Sequence, residues 1–361
     1  MKETEFKQKF NKWLSYLISQ GGSDLHVSAG SYPAVRIDNE LIQLDKEDVI
    51  SNSNLDYLLK DMLEEKRYKK LIEERQVDFS LEKKGDYRYR GNAFFHTDVL
   101  SLVLRRLPKK IKTLKELNLP EYLYDFVEAN QGLFLVVGPN GQGKSTTLAS
   151  MIEYVNNNYK KHIITIEDPI EYVYANKECL IEQREVYEDT LSFQSALKSS
   201  FREDVDIILV GELRDKETIG MAVTAAETGH IVLGTLHTND SVQTIDRIID
   251  VFPPHQQGQV RSQLASVLNG VVSQRLLRKV GGGRVPALEV LRSNIAVANL
   301  IRQNQIAQIK SVLETSKEEG MVTLERYLAD MVNAGAVEVK EAQKHALDVD
   351  TFKMHLTGNF D

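Results

Sequence analysis

The chain has 361 residues, a formal net charge of −7 and 42% hydrophobic residues, which is typical of a soluble protein with two domains. Its single cysteine, Cys179, excludes an intrachain disulfide and a tetracysteine zinc module. No apolar run approaches the roughly 18 residues of a membrane span, and the charged first residues lack a signal-peptide core. The acidic balance disfavours broad nucleic-acid binding. We therefore expect a cytoplasmic protein that reaches a membrane only through a partner.

The first part of the chain mixes short strands with helical stretches. Apolar residues from Phe6 to Leu17 recur at helical spacing, and a second helical stretch runs from about residue 55 to 74. Alternating or β-branched segments predict strands at 24–28, 34–37, 77–81, 87–95 and 101–107. This mixture predicts a compact α+β domain over residues 1–108.

From about Leu119 the pattern changes to strands that alternate with helices, after a lysine-rich segment, 109–118, that is predicted to be a linker. Apolar segments predict strands at 133–137, 163–166, 207–210 and 231–235. Helical patterns lie between them at 145–156, 192–202 and 216–227. Such alternation predicts an α/β core with a parallel sheet over 119–292. A last strand near 286–291 and a helical region over 293–361 follow, in which Thr323 is predicted to cap a helix that Gly335 ends.

Residues 138–146 form a complete phosphate-loop motif, G-x-x-x-x-G-K-S-T. The glycines let backbone N–H groups turn toward phosphates, Lys144 can reach the β- and γ-phosphate oxygens, and the Ser145 hydroxyl is placed to bind Mg²⁺. The motif follows a buried strand and opens a helix, so the phosphates are expected at a helix N-terminus. The sequence therefore predicts a site for ATP or GTP with Mg²⁺, formed by Gly138, Pro139, Asn140, Gly141, Gln142, Gly143, Lys144, Ser145 and Thr146.

Hydrolysis also needs a group that orients water, and the first candidate is Glu212, which follows the apolar strand 207–210. Gly211 stands where such strands usually carry a Mg²⁺-binding aspartate, so another acid is expected to assist the metal. Glu167 and Asp168 end the strand 163–166, and strand carboxyl ends line the ligand crevice of open α/β sheets. By itself, Asp-Pro at 168–169 is also ordinary turn chemistry.

Two histidines, His230 and His237, mark the two ends of the strand 231–235. Seven residues of extended chain place them about 20 Å apart, too far for one metal ion. A role in sensing or positioning the γ-phosphate and a purely structural role both stay open for each of them.

Cations that stabilise the transferred phosphoryl group are expected among the arginines of the first domain. Alternation places Arg88 and Arg90 on one face of their strand, and Arg105 precedes a second arginine at 106. A solvated edge strand is the alternative interpretation of the same pattern.

Taken in order, these motifs resemble those of the PilT family of type IV pilus retraction motors, within the secretion-ATPase superfamily. The resemblance extends from about Gly22 to Gly335. It rests on an opening DLH at 24–26, GPNGQGKSTT at 138–147 (Walker A), IITIEDPIEYV at 163–173 (Asp box), ILVGELRD at 208–215 (atypical Walker B), and TAAETGH at 224–230 with GTLHTN at 234–239 (His box).

The resemblance implies a PAS-like N-terminal domain followed by a RecA-like ATPase domain with C-terminal helices, assembled as a homohexamer with ATP between the domains. It implies that Glu212 is the catalytic glutamate and that Glu167 is the acid near Mg²⁺. It also implies functions for the His-box pair, His230 and His237, and for the family arginines, Arg88, Arg90 and Arg105. Such motors act on an inner-membrane platform protein of the pilus machine, so that the pilus shortens and the cell twitches.

Several alternatives stay open beside retraction. Residues 296–303, AVANLIRQ, match the retraction motif AIRNLIRE only in part, with Ala298 for arginine and Gln303 for glutamate, which leaves a PilU-like accessory motor or a shared task with a paralogous motor. Assembly and type II secretion ATPases usually carry a tetracysteine zinc motif, which a single cysteine cannot form. A nucleic-acid translocase is disfavoured by the acidic charge, and a nucleotide-binding pseudoenzyme by the intact Lys144 and Glu212.

Overall fold

A computed structural model describes residues 3–37, 40–83, 87–107 and 110–356. The chain divides into two compact units, 1–110 and 111–361. Pro108, at which the sequence analysis ends the first domain, and Lys109, at which the predicted linker begins, lie outside the described residues. Most of that predicted linker belongs to the second unit, because Leu114 is fully buried in its core.

The described part of the first unit is an antiparallel sheet with helices packed against it. The strand order is β3-β2-β1-β6-β5-β4. Its elements are α1 (Glu3–Ser19), β1 (Asp24–Ser28), β2 (Ala34–Ile37), β3 (Glu40–Gln43), α2 (Asn52–Met62), α3 (Glu65–Glu74), β4 (Gln76–Lys83), β5 (Tyr87–His96) and β6 (Val99–Arg106).

The core of this unit is formed where the apolar stripe of α1 meets the sheet. Phe6, Phe10 and Leu17 of that stripe are fully buried, which confirms the predicted helix. The single helix predicted over 55–74 is wrong in one respect, since the backbone leaves helical geometry at Leu63 and resumes in α3. Leu63 is itself buried at the break, so core packing decides a boundary that no glycine or proline marks.

The second unit is built on a sheet with the strand order β13-β12-β7-β11-β10-β8-β9, in which only the β12–β13 pair is antiparallel among the described strands. Its strands are β7 (Gly132–Val137), β8 (His162–Glu167), β9 (Leu180–Glu185), β10 (Ile207–Val210), β11 (Ile231–Leu236), β12 (Leu268–Arg278) and β13 (Arg284–Arg292). Its helices are α4 (Asp125–Glu128), α5 (Lys144–Asn158), α6 (Phe193–Ser200), α7 (Lys216–Glu227), α8 (Ser241–Asp250), α9 (Pro254–Val267), α10 (Ile295–Arg302), α11 (Ile309–Thr315), α12 (Leu324–Asn333), α13 (Val339–His345) and α14 (Val349–His355).

The register of the parallel strands brings their carboxyl ends to one edge of the sheet. Val137 of β7 pairs with Leu236 of β11, and Val210 of β10 pairs with Ile166 of β8. The phosphate loop, His237 and Glu167 directly follow Val137, Leu236 and Ile166, and Glu212 comes two residues after Val210. We call this side the loop edge of the sheet.

The C-terminal helices follow the prediction closely. The Thr323 hydroxyl accepts a hydrogen bond from the Arg326 amide at 3.3 Å and so caps α12, while Gly335 adopts a φ of +70° just after the helix. Helices α12 to α14 bury an apolar cluster against β12 and β13. Within the described ranges, none of the helices combines the length and apolar character that crossing a membrane requires.

Candidate active site

The phosphate loop leaves β7 at Val137 and ends where α5 begins at Lys144. Gly138 and Gly143 have φ values of +139° and +85°, a region that side chains rarely adopt. A Cβ atom at Gly138 would lie 2.5 Å from the Gln274 carbonyl oxygen, and one at Gly143 would lie 2.9 Å from Gln274 Nε2. Glycine is therefore required at both positions, and the first N–H groups of α5 are left to bind an anion in the loop.

Lys144 is buried within this loop, with 7% of its surface exposed. Its ammonium donates hydrogen bonds to the Gly138 and Pro139 carbonyl oxygens, at 2.8 and 3.1 Å, and lies 3.3 Å from His237 Nδ1. Burial lowers the pKa of Lys144, and the nearby charge of Glu212 opposes that shift. Because the loop carbonyls are neutral acceptors, phosphate oxygens would bind this cation more strongly.

Glu212 lies two residues past the end of β10, after Gly211, and contacts two cationic or protonatable side chains. Its Oε2 lies 2.8 Å from the Arg214 guanidinium, and its Oε1 lies 3.3 Å from His237 Nε2. Burial tends to raise the pKa of Glu212, but Arg214 and His237 together hold the pKa below its usual value. Glu212 is thus an ionised carboxylate at neutral pH, the form that can accept a proton from water.

His237 connects the phosphate-loop lysine with this carboxylate. The Lys144 ammonium donates to Nδ1, so the ring proton of a neutral His237 is assigned to Nε2, which faces Glu212. One imidazole therefore contacts both the cation expected at the γ-phosphate and the acid expected to activate water.

Glu167 ends β8 and is buried, with hydrogen bonds from the Thr165 hydroxyl at 2.7 Å and from Gln183 Nε2 at 3.4 Å. Burial raises its pKa to about 7. A Cβ atom at Gly211 would lie 3.2 Å from the Ile166 carbonyl oxygen, a tight contact, so glycine lets the end of β10 approach the end of β8 without displacing it.

The donors expected to bind Mg²⁺ are the hydroxyl of Ser145, exposed in the first turn of α5, and the carboxylate of Glu167. Both offer the hard oxygen ligands that this ion prefers, at one edge of the sheet. Thr146 has its hydroxyl 2.8 Å from the Tyr172 hydroxyl, which ties the first turn of α5 to the segment after Asp168. The loop and these oxygens fit a nucleotide with its metal ion.

His230 lies at the opposite edge of the sheet. It precedes the first residue of β11, its carbonyl oxygen accepts a hydrogen bond from Gly132 at the start of β7, and its Nδ1 lies 3.0 Å from the Ala225 carbonyl oxygen. The Phe201 ring meets the imidazole edge-on, with centroids 5.9 Å apart. The structure thus brings His237, and not His230, to the phosphate loop of its own chain, and a catalytic role for His230 stays a prediction.

Arg88, Arg90 and Arg105 share one face of the sheet of the first unit. Arg90 pairs directly with Arg105 across β5 and β6, and Arg105 pairs with Asp24 of β1. Arg105 Nε donates to the buried Asp24 carboxylate at 2.8 Å, while most of the arginine side chain stays exposed. Arg88 lies two residues before Arg90 and so faces the same side. A role for these cations in hydrolysis stays a prediction from the family resemblance.

Three residues at the loop edge received no role from the sequence. Arg214 lies within the Walker B motif and pairs with Glu212. Gln274 and Arg275, in β12, are 2% and 4% exposed and lie beside the phosphate loop. The sequence signal for Gln274 and Arg275 is a polar pair at the centre of a strand, flanked by the apolar residues Val271–Val272 and Leu276–Leu277.

A phosphate loop on a largely parallel sheet, with an ionised glutamate just after the next strand but one, defines a P-loop NTPase. The chain belongs to the family described as "Type II/IV secretion system protein", whose model matches residues 2–344. This family membership confirms that the chain is a nucleotide-binding ATPase.

Individual relatives are similar over nearly the whole chain. The "Type IV pilus retractation ATPase PilT" of Pseudomonas aeruginosa is 44% identical over 339 residues, 94% of this chain and 98% of the relative. The "Type IV pilus ATPase PilU" of the same organism is 38% identical over 339 residues, 94% of this chain and 88% of the relative. A crystal structure of the pilus retraction motor PilT with bound ADP is 43% identical with a TM-score of 0.89, over 95% of this chain and 98% of that one. The predicted family resemblance and the two-domain ATPase fold are confirmed, and the PAS-like character of the first domain stays a prediction.

Proposed function

We propose that this chain is the ATP-hydrolysing motor that drives retraction of a type IV pilus, and that it works as a homohexamer. The observation that carries the proposal is the contact series from Lys144 through His237 to Glu212 beside the phosphate loop. It occurs in a chain that is 44% identical, almost end to end, to a pilus retraction ATPase.

In this proposal the loop amides and Lys144 bind the β- and γ-phosphates of ATP. Ser145 and Glu167 would hold Mg²⁺, which would supply positive charge against those phosphate oxygens. Asn140, Gly141, Gln142 and Thr146 complete the loop around the phosphates. Burial raises the pKa of Glu167 to about 7, so its carboxyl is divided between the neutral and ionised forms near neutral pH in the free protein.

Hydrolysis then requires a water molecule in line with the terminal phosphate. Glu212 accepts a proton from that water as its oxygen bonds to phosphorus and the bond to the bridging oxygen breaks. His237 contacts both groups and so fixes the position of the Glu212 carboxylate relative to Lys144. One of the first-domain arginines, Arg88, Arg90 or Arg105, supplies a cation to the transferred group within the ring, and His230 completes the His box.

We further propose that the motor acts at the cytoplasmic face of the inner membrane, through the platform protein of a pilus machine. Its conformational cycle would release pilin subunits from the base of the fibre. Direct nucleic-acid binding and direct membrane insertion form no part of the proposal.

A second candidate, an accessory motor beside a paralogous retraction ATPase, is favoured by one observation. Helix α10 carries Ala298, and Gln303 follows its last residue, where the retraction motif has arginine and glutamate. Ala298 packs partly against the core and presents no charge at that position. The identity to the PilU relative, 38%, is lower than that to the PilT relative over the same length, so we rank this candidate second.

The test is a count of surface pili and a motility assay in cells with and without this gene. Surplus pili with lost surface motility support retraction, and a normal pilus number with weakened motility supports the accessory role. Bare cells would overturn both, because they indicate an extension motor. A complementing Ala298→Arg, Gln303→Glu allele serves as the matched variant, and we expect it to retract at least as well as the wild type.

A further inference from the structure

Strand β12 continues past the end of its neighbour β7. The last pair between them joins Ser273 to Val137, after which β7 turns into the phosphate loop. Strand β12 runs on to Arg278 and stays paired with β13 on its other side. Its side toward β7 therefore has no strand partner beyond Ser273 among the described residues, and the phosphate loop occupies that place.

Gln274 fills the space between β12 and the loop and is 2% exposed. Its Oε1 accepts a hydrogen bond from the Thr147 hydroxyl of α5 at 2.8 Å, and its Nε2 donates to the Gln142 carbonyl oxygen at 2.7 Å. Both ends of one buried amide thus bind the phosphate-loop segment, one on the loop itself and one on the helix that follows.

Gln142 makes the reciprocal contact. Its side-chain Oε1 accepts a hydrogen bond from the Leu276 backbone amide at 2.7 Å. This is an N–H group that a continuing β7 would otherwise satisfy, and even a partly buried backbone donor is costly to leave unpaired. Gln142 therefore contributes both its backbone oxygen and its side-chain oxygen to β12, although the phosphate-loop motif leaves this position open.

We propose that Gln142 and Gln274 form a latch that fastens the phosphate loop to β12 and keeps it in its anion-binding shape before nucleotide arrives. Both are positioning residues that act through the loop backbone. The inference rests on the proposed function, in which this loop binds ATP. A loop held in its bound shape loses less conformational entropy when ligand binds, so the latch raises affinity for the triphosphate.

A simple packing role for the same residues makes a different prediction. Loss of packing would lower the stability of the whole domain and weaken nucleotide binding only as far as the fold is lost. Loss of a latch would loosen the loop at nearly constant stability, especially at Gln142, which is only half-buried.

The first measurement uses the nucleotide-free full-length protein and amide hydrogen exchange over residues 138–148 and 272–278. The variant Gln142→Met keeps the side-chain length and removes the acceptor, and Gln308→Met removes an amide from an exposed position as the matched control. We expect at least tenfold faster exchange in both segments for Gln142→Met and wild-type exchange for Gln308→Met. Unchanged exchange in Gln142→Met would overturn the latch.

The second measurement is the Kd of a non-hydrolysable ATP analogue for Gln142→Met, Gln274→Met and the double variant, together with the unfolding temperature of each. We expect each single variant to weaken binding about tenfold, and the double variant to be little weaker than the worse single one, because both hold the same loop. Wild-type affinity in Gln142→Met, or affinities that only follow unfolding temperature, would overturn the proposal. A wild-type protein that fails to bind the analogue would instead refute the proposed function, while hydrogen exchange still decides whether the latch exists.

Discussion

The two ends of strand β11 carry the same residue type in different surroundings. At the loop edge, His237 lies between Lys144 and Glu212. At the other edge, His230 lies near the Ala225 carbonyl oxygen and the Phe201 ring. One strand therefore holds one histidine among charged groups and one among neutral structural partners.

The difference shows that, in a parallel sheet, the end of a strand on which a residue lies decides whether it can reach the active site. Loops that follow the carboxyl ends of the strands meet at one edge, and they bring together residues far apart in sequence. The start of the same strand meets helix ends and turns whose polar groups satisfy one another. Proximity in sequence to a motif is therefore a weaker guide to function than the end of the strand on which a residue lies.

The largest expected effect is at the loop edge. Replacing Glu212 with glutamine should lower kcat by about 10³-fold with nucleotide binding retained, since only the proton acceptor is lost. Lys144→Ala should instead weaken nucleotide binding, because the buried cation is removed. Phosphate release and analogue binding measure the two effects separately, and undiminished hydrolysis in Glu212→Gln would exclude Glu212 as the base.

A direct comparison of the two histidines should give the next largest effect. We expect His237→Ala to lower kcat about 10²-fold, because the substitution removes the side chain that connects Lys144 with Glu212. We expect His230→Ala to lower kcat about threefold or less. Steady-state turnover of the assembled protein is the measurement. If His230→Ala lowered kcat as much as His237→Ala does, the comparison of the two edges would be wrong. His230 would then be assigned to the active site of a neighbouring subunit.

Glu289, a buried carboxylate that takes no part in the proposed reaction, should give a smaller, pH-dependent effect on the free energy of unfolding. Burial raises the pKa of Glu289 to about 7, while its carboxylate accepts two hydrogen bonds from Ser241. Because the folded pKa exceeds the unfolded value, the group favours folding most below pH 4.5, and this advantage is lost as pH rises toward 7. Glu289→Gln keeps an acceptor and should therefore raise the free energy of unfolding by about 2 kcal/mol at pH 8, and by less at pH 5.5.

Chemical denaturation at the two pH values measures this difference. Glu314→Gln, a substitution at an exposed position, is the control and should change stability equally at both. A Glu289→Gln protein whose gain does not shrink at the lower pH would show that burial does not raise this pKa.

The smallest effect is expected at the opposite edge. His162 Nε2 lies 3.1 Å from Glu182, whose side chain is 58% exposed. Because Glu182 is exposed to solvent, its pair with the less exposed His162 is screened and contributes less than about 1 kcal/mol, so Glu182→Gln should barely change stability and should leave kcat unchanged. A clear loss of turnover would indicate that this edge takes part in the reaction cycle.

Much of this organisation could be predicted from local sequence. The strand before the phosphate loop, the helix after it and the cap at Thr323 follow from periodicity and from short-range chemistry. The helix break at Leu63 could not be predicted in this way, because it depends on burial in a core formed by distant residues.

By itself, the sequence determined that this chain binds a nucleotide, because the phosphate loop encodes its own geometry within nine consecutive residues. It also placed Glu212 and Glu167 at strand ends. Only the tertiary structure decided that His237 rather than His230 joins the loop, and that Gln274, more than 120 residues away, holds it. Strand order and register set those contacts, and both depend on how the whole sheet packs rather than on any local pattern.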